Sequence, residues 1–190
     1  MSDMRTVRVS LDTAGERFVA SGTHRGHELQ INAPRQPGSG RAPTGFSATE
    51  LLLAAAGACS AWDVVEILRK RRADIDSLDV DVEGTQQDDP PWTYTRVALH
   101  YRIAGAGLKL PILARVIRLS IARYCSVITT IAGVAAIEAT VELVGRDGVS
   151  GGPTHIELAL PAAPTSAGAF TAADLAAVGL ADPAADEDEE

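Results

Sequence analysis

The chain has 190 residues, 46% of them hydrophobic but only 4% aromatic, and its 17 basic and 25 acidic side chains leave a net charge of −8. The imbalance sits at one end: from Arg146 onward nine acidic residues meet one basic residue, so residues 1–145 are neutral and residues 146–190 form an acidic extension. This excludes a basic, aromatic-studded nucleic-acid surface. The absence of an apolar leader or of an uninterrupted apolar run of about 18 residues argues against secretion and membrane insertion and for a cytoplasmic protein.

In chain order, Val7, Val9 and Leu11 alternate with Arg8, Ser10 and Asp12, the pattern of a half-buried strand. A TAGE turn leads to a second strand at 17–22, which closes a hairpin, and Leu29 and Ile31 mark a third strand. Residues 33–46 (APRQPGSGRAPTGF) form a Pro- and Gly-rich loop of the length that carries function. The central stretch follows, SATELLLAAAGACSAWDVVEILRKRR, residues 47–72. Ser47 and Glu50 make a capping box, and the basic end suits the negative pole of the helix dipole. From Leu51 to Val65 apolar residues cover almost every face, which predicts a buried helix. Glu50 and Asp63 interrupt it too soon for a membrane span.

Two more alternating strands (Leu78, Val80, Val82 and Val97, Leu99, Tyr101, Ile103) flank the connection GTQQDDPP and should pair antiparallel. A second helix is expected over 109–123 with Pro111 in its first turn. Cys125 and a short apolar helix (127–132) come next, and a sixth strand spans 137–143. THIELAL (154–160) reads as an edge strand, TAADLAAVGL as a short helix and the last residues as a solvated acidic tail. Amphipathic strands and an apolar central helix predict an α+β fold, with antiparallel sheets wrapped around that helix. The domain assignment is 1–145 plus a C-terminal extension, 146–190.

Cys59 and Cys125, the two cysteines of the chain, are the candidate chemistry. One thiol can be oxidised by a peroxide to a sulfenic acid and the other can condense with it to a disulfide. Cys125 precedes a short helix whose N–H groups favour a thiolate, whereas apolar burial works against Cys59. Both are also the size and type of ordinary core residues. Asp63 follows Cys59 by one turn and faces the same surface. Trp62 and Tyr124 are better read as core packing than as a substrate pocket. His24 and His27 have loose metal spacing, but nothing completes a site. Gly105-Ala-Gly107 lacks the Lys-Ser/Thr of a phosphate loop. No metal and no cofactor is expected.

The central helix resembles the signature helix of the OsmC/Ohr superfamily, and RLSIARYCSVITTIAG resembles its second-cysteine segment. The ELLL, CSAWDVV and YCSV strings are closest to the YhfA-like branch. The resemblance implies an intertwined homodimer with sites at its interface. It also implies reduction of organic hydroperoxides through Cys59 as the attacking thiol and Cys125 as the resolving one, with an external dithiol as reductant. Two positions depart from the reductases: Thr49 stands where they keep a Glu, with Glu50 next door, and Arg17 is an approximate match to the Arg of their N-terminal hairpin. Arg35 and Arg41 are other candidate cations. The competing reading is a non-peroxidatic dimer of the same fold, binding a small apolar or acyl ligand or acting as a thiol redox sensor.

Overall fold

A computed structural model describes residues 4–13, 17–22, 26–32, 45–145 and 151–158. The chain divides into two compact units, residues 1–52 and 53–190. In the first, three strands, β1 (Val7–Asp12), β2 (Arg17–Gly22) and β3 (Glu28–Asn32), form an antiparallel sheet in the order β1-β2-β3. Register pairs Val9 with Ala20 and Phe18 with Ile31. The alternation foreseen in β1 is present, yet Val7, Val9 and Leu11 are exposed rather than turned into a core. Among the described residues of 4–32 none is fully buried.

Helix α1 (Ala48–Lys70) begins as its sequence dictates. The Ser47 backbone N–H donates to Glu50 Oε2 at 2.7 Å, and the Glu50 N–H donates back to Ser47 Oγ at 3.2 Å. At the other end Arg72 takes a left-handed conformation, φ 57°. The Ala73 N–H then reaches Leu68 O and the Arg72 N–H reaches Arg69 O, the paired bonds of a Schellman motif.

The second unit holds a four-stranded sheet, β4 (Ser77–Gln86), β5 (Tyr94–Ala104), β6 (Ala136–Val144) and β7 (Thr154–Ile156), in that order. β4 and β5 pair antiparallel, with Val80 opposite Tyr101 and Val82 opposite Leu99. One pairing departs from the antiparallel expectation: β5 and β6 run parallel. Parallel neighbours need a crossover. Helix α2 (Leu110–Leu119), a π turn (Ser120–Tyr124) and helix α3 (Ser126–Ile131) supply it. β7 adds a seventh strand, at the edge where THIELAL was expected to lie.

The inward residues of β5, Val97, Leu99, Tyr101 and Ile103, are all but inaccessible. They form one core with Ala56, Val64 and Leu68 of α1 and Leu113, Val116 and Ile117 of α2. Each such aliphatic side chain contributes about 1.5–3 kcal/mol on burial. Gly57 lets α1 approach the sheet, since a Cβ there would lie 2.8 Å from Val82 Cγ2.

The central helix is less enclosed than its composition predicted. Its buried stripe is Ala56, Gly57, Ser60, Val64 and Leu68, while Leu52 and Trp62 stand 42% and 66% exposed. By length and composition α1 would also qualify to cross a membrane. Within the fold its buried stripe, Ala56 to Leu68, packs on the core of the second unit.

Candidate active site

The two cysteines, 66 positions apart in sequence, converge in the second unit. Cys59 occupies the middle of α1, and Asp63 is one turn later on the same face. Cys125 reaches them through the π turn. There the Cys125 N–H bonds to Ser120 O, five residues back, at 2.8 Å. That wider turn carries the chain from α2 to α3 and makes Cys125 the N-cap of α3. The two Sγ atoms and a carboxylate oxygen of Asp63 all lie within 4.8 Å of one another. Both cysteines are free; Cys59 is half-buried and Cys125 fully buried.

A chain of hydroxyls braces this cluster from behind. Ser120 Oγ donates to Asp63 Oδ2 at 3.1 Å. With that proton spent, Ser60 donates to Ser120 across 2.8 Å, and Tyr101 donates to Ser60 across 2.6 Å. Every donor from Tyr101 to the carboxylate is therefore satisfied, as burial requires. The chain ties α1 to β5 and to the start of the π turn.

Electrostatics at Cys125 run opposite to the sequence expectation. The Ile128 N–H donates to Cys125 Sγ at 3.5 Å, so the predicted help from the helix N-terminus is present. Burial outweighs it, with the Cys59 sulfur and the Asp63 charge adding to the effect, and the Cys125 thiol is pushed up to about 12. Cys125 is thus a protonated, sealed thiol at neutral pH, and Cys59 is the sulfur that solvent reaches. Burial also raises Asp63, partly offset by the Ser120 hydrogen bond. The ionisable group beside both thiols in this trio is a carboxylate, that of Asp63.

With this geometry in view, the sequence comparisons are decisive. The model of the OsmC-like protein family matches residues 38–142. The chain belongs to the OsmC family. It is 41% identical over 81 residues to Protein YhfA of Escherichia coli, a stretch that covers 43% of this chain and 60% of YhfA. The chain therefore spans about three fifths of that relative's length. Among solved structures, an OsmC-like protein from Mycoplasma pneumoniae superposes with a TM-score of 0.64 at 18% identity, over 76% of this chain and 99% of that one. An organic hydroperoxide resistance protein from Legionella pneumophila gives a TM-score of 0.54 at 13% identity, over 73% and 96%. At these identities the two structures establish the OsmC fold alone.

The remaining OsmC-type candidates fall elsewhere. Arg17 lies on β2, where its Nε donates to Asp12 Oδ2 at 3.1 Å and its Nη1 to Gln30 Oε1 at 3.2 Å, so it is engaged within its own sheet. Glu50 is engaged in the capping box, and the Ser47 hydrogen bonds hold its carboxyl below the usual range. Trp62 and Tyr124, read as core, instead project outward at 66% and 51% exposed, with the Arg123 guanidinium over the Tyr124 ring. Arg35, Arg41 and His24 lie outside the described residues.

Sequence reading missed Ser60, Ser120 and the role of Tyr101. A signal existed for Ser60, which falls on the apolar i, i+4 stripe Ala56–Ser60–Val64–Leu68. A hydroxyl on a core stripe must find a buried partner. Nothing in the sequence marked Ser120, because a π turn has no residue signature.

Proposed function

We propose that this OsmC-family chain is a thiol-dependent peroxidase for organic hydroperoxides, and the observation that supports it is one accessible and one sealed sulfur held within 4.8 Å. The Cys59 thiolate attacks the peroxide oxygen distal to the organic group and breaks the O–O bond. The products are the Cys59 sulfenic acid and an alkoxide, which leaves as the alcohol after protonation. Cys125 Sγ then attacks the sulfenic sulfur, the Cys125 proton joins the departing hydroxyl as water, and a Cys59–Cys125 disulfide forms. An S–S bond of about 2.05 Å requires the pair to close further. Half-exposed Cys59, near the middle of a rigid helix, closes by a side-chain rotation. Asp63 lies beside both sulfurs and relays the proton from Cys125 to the leaving hydroxyl. A small external dithiol returns the pair to two thiols and departs as its own disulfide.

The protein works as a homodimer in this reading. The exposed apolar residues Val7, Val9 and Leu11 of β1 are a surface that a second copy covers, since contiguous apolar patches on a lone chain mark interaction sites. A pair of cysteines that cycles between thiols and disulfide suits a reducing cytoplasm.

The test is a thiol titration in denaturant before and after one equivalent of cumene hydroperoxide per chain, with hydrogen peroxide in parallel. Loss of two thiols within seconds, faster with the organic peroxide and reversed by dihydrolipoamide, is the expected result. Cys59→Ser abolishes turnover, and Cys125→Ser halts at the sulfenate. Peroxide consumption by Cys59→Ser at the parent rate would overturn the reading. Asp63 beside the thiols and Thr49 at the reductases' Glu position favour one competing reading, a slow thiol sensor. That reading predicts disulfide formation over minutes without catalytic turnover.

A further inference from the structure

We propose that Cys59, Cys125 and Asp63 form a reversible binding site for a thiophilic divalent cation of the zinc class. Two sulfurs and one carboxylate oxygen converge within 4.8 Å of one another. In a tetrahedral zinc centre, bonds of about 2.3 Å to sulfur place the two sulfurs about 3.8 Å apart. The existing cluster is therefore at most about an ångström too open. The donor set selects the ion: two thiolates exclude magnesium and calcium, and two thiolates with one carboxylate suit zinc.

The supports around the ligands are those a metal centre needs. Ser120 Oγ donates to Asp63 Oδ2, and the Ile128 N–H donates to Cys125 Sγ, so each is oriented before an ion arrives. The ligands come from one helix face and one helix N-cap rather than from loops. Cys59 and Asp63 are both only partly buried, which leaves a route from solvent and a fourth position for water. Binding releases one proton from each thiol. It also engages the sulfur lone pairs that disulfide formation uses, so cation and disulfide exclude each other and a bound ion keeps the pair reduced. The site stands on the three side chains and does not depend on the peroxidase reading.

The experiment is an anaerobic titration of the reduced, metal-free full chain with Co2+, followed by Zn2+. The expected result is a thiolate-to-cobalt charge-transfer band saturating at one ion per chain, with visible bands of tetrahedral intensity, both erased by Zn2+, and release of about two protons per ion. Asp63→Asn removes a charged ligand oxygen and weakens binding by roughly 100-fold or more, beyond the roughly 10- to 100-fold lost with an outer-shell partner. Cys59→Ser removes most of the charge-transfer intensity. Where Cys125→Ser does not fold, parent protein alkylated at Cys59 with iodoacetamide serves as the second control and binds no cobalt. Absence of the band at tenfold excess Co2+, or a band unchanged by Asp63→Asn and by Cys59 alkylation, overturns the proposal. No peroxide enters the titration: cobalt binding without peroxide turnover removes the peroxidase reading alone, and turnover without cobalt binding removes the cation site alone.

Discussion

β1 and β5 carry the same alternation and meet opposite fates. In β5, Val97, Leu99, Tyr101 and Ile103 are 0–1% exposed beneath α1 and α2 of the same chain. In β1, Val7, Val9 and Leu11 are 57–63% exposed. Period-two patterning therefore states that a strand owns an apolar face and leaves open what covers it. The four-stranded sheet has its core within the chain. Among the described residues the three-stranded sheet has an apolar face with no such core, which is the physical ground for the proposed second copy.

Truncation exposes the contrast most strongly. Leu99→Ala removes a fully buried side chain from the second unit and should cost about 2–5 kcal/mol in chemical denaturation. Val9→Ala, from an exposed position, should change the stability of the lone chain by less than about 0.5 kcal/mol. Its effect should appear instead in the dimer constant measured by sedimentation. A loss for Val9→Ala as large as that for Leu99→Ala, independent of protein concentration, would break the comparison.

Gly57→Ala probes the helix–sheet contact of the second unit directly. The added Cβ meets Val82 at 2.8 Å, and a β-branched side chain against a helix cannot yield cheaply. A loss of about 1–3 kcal/mol in thermal or denaturant unfolding is expected, as for other overpacked cores. The N-terminal sheet, measured by hydrogen exchange of its amides, should not respond.

Much of this was legible in advance, for reasons that differ by element. The capping box of α1, the alternations of β4 to β6 and the Pro111 start of α2 are local, and each appears at or within a residue or two of its expected place. The OsmC fold and the pairing of Cys59 with Cys125 came through the resemblance of two segments, since no local rule brings residues 66 apart together. The parallel β5–β6 pairing was not readable, because period-two patterns are blind to strand direction. The acidity of Cys125 was misjudged for a related reason. The N-cap contact of Cys125 is local and visible in sequence, whereas the burial that overrides it comes from the whole core.

Alkaline titration sharpens the difference between the thiols. The folded-state value for Cys125 lies above the ordinary thiol value of 9.0, at about 12. The stabilisation linked to its proton is fully present below pH 9 and is lost as pH rises from 9 through about 12. Native-state alkylation at pH 8 should therefore modify Cys59 and spare Cys125, and Cys125→Ala should flatten the stability loss above pH 9. Equal alkylation rates for both cysteines at pH 8 would show that the burial of Cys125 is not maintained.

The smallest effect is expected at the end of α1. Arg72 closes the helix at φ 57°, a conformation that costs a side chain with a Cβ and costs glycine almost nothing. Arg72→Gly should stabilise the second unit by up to about 1 kcal/mol, net of glycine's greater freedom in the unfolded chain. Because the cap closes on Leu68, a residue of the core, the gain should enter the cooperative unfolding of β4 to β6 and slow exchange of the β5 amides. The amides of β1 to β3 should exchange as before if that sheet draws its stability from a source other than this core. A parallel slowing in both sheets would mean that the two units share one unfolding transition.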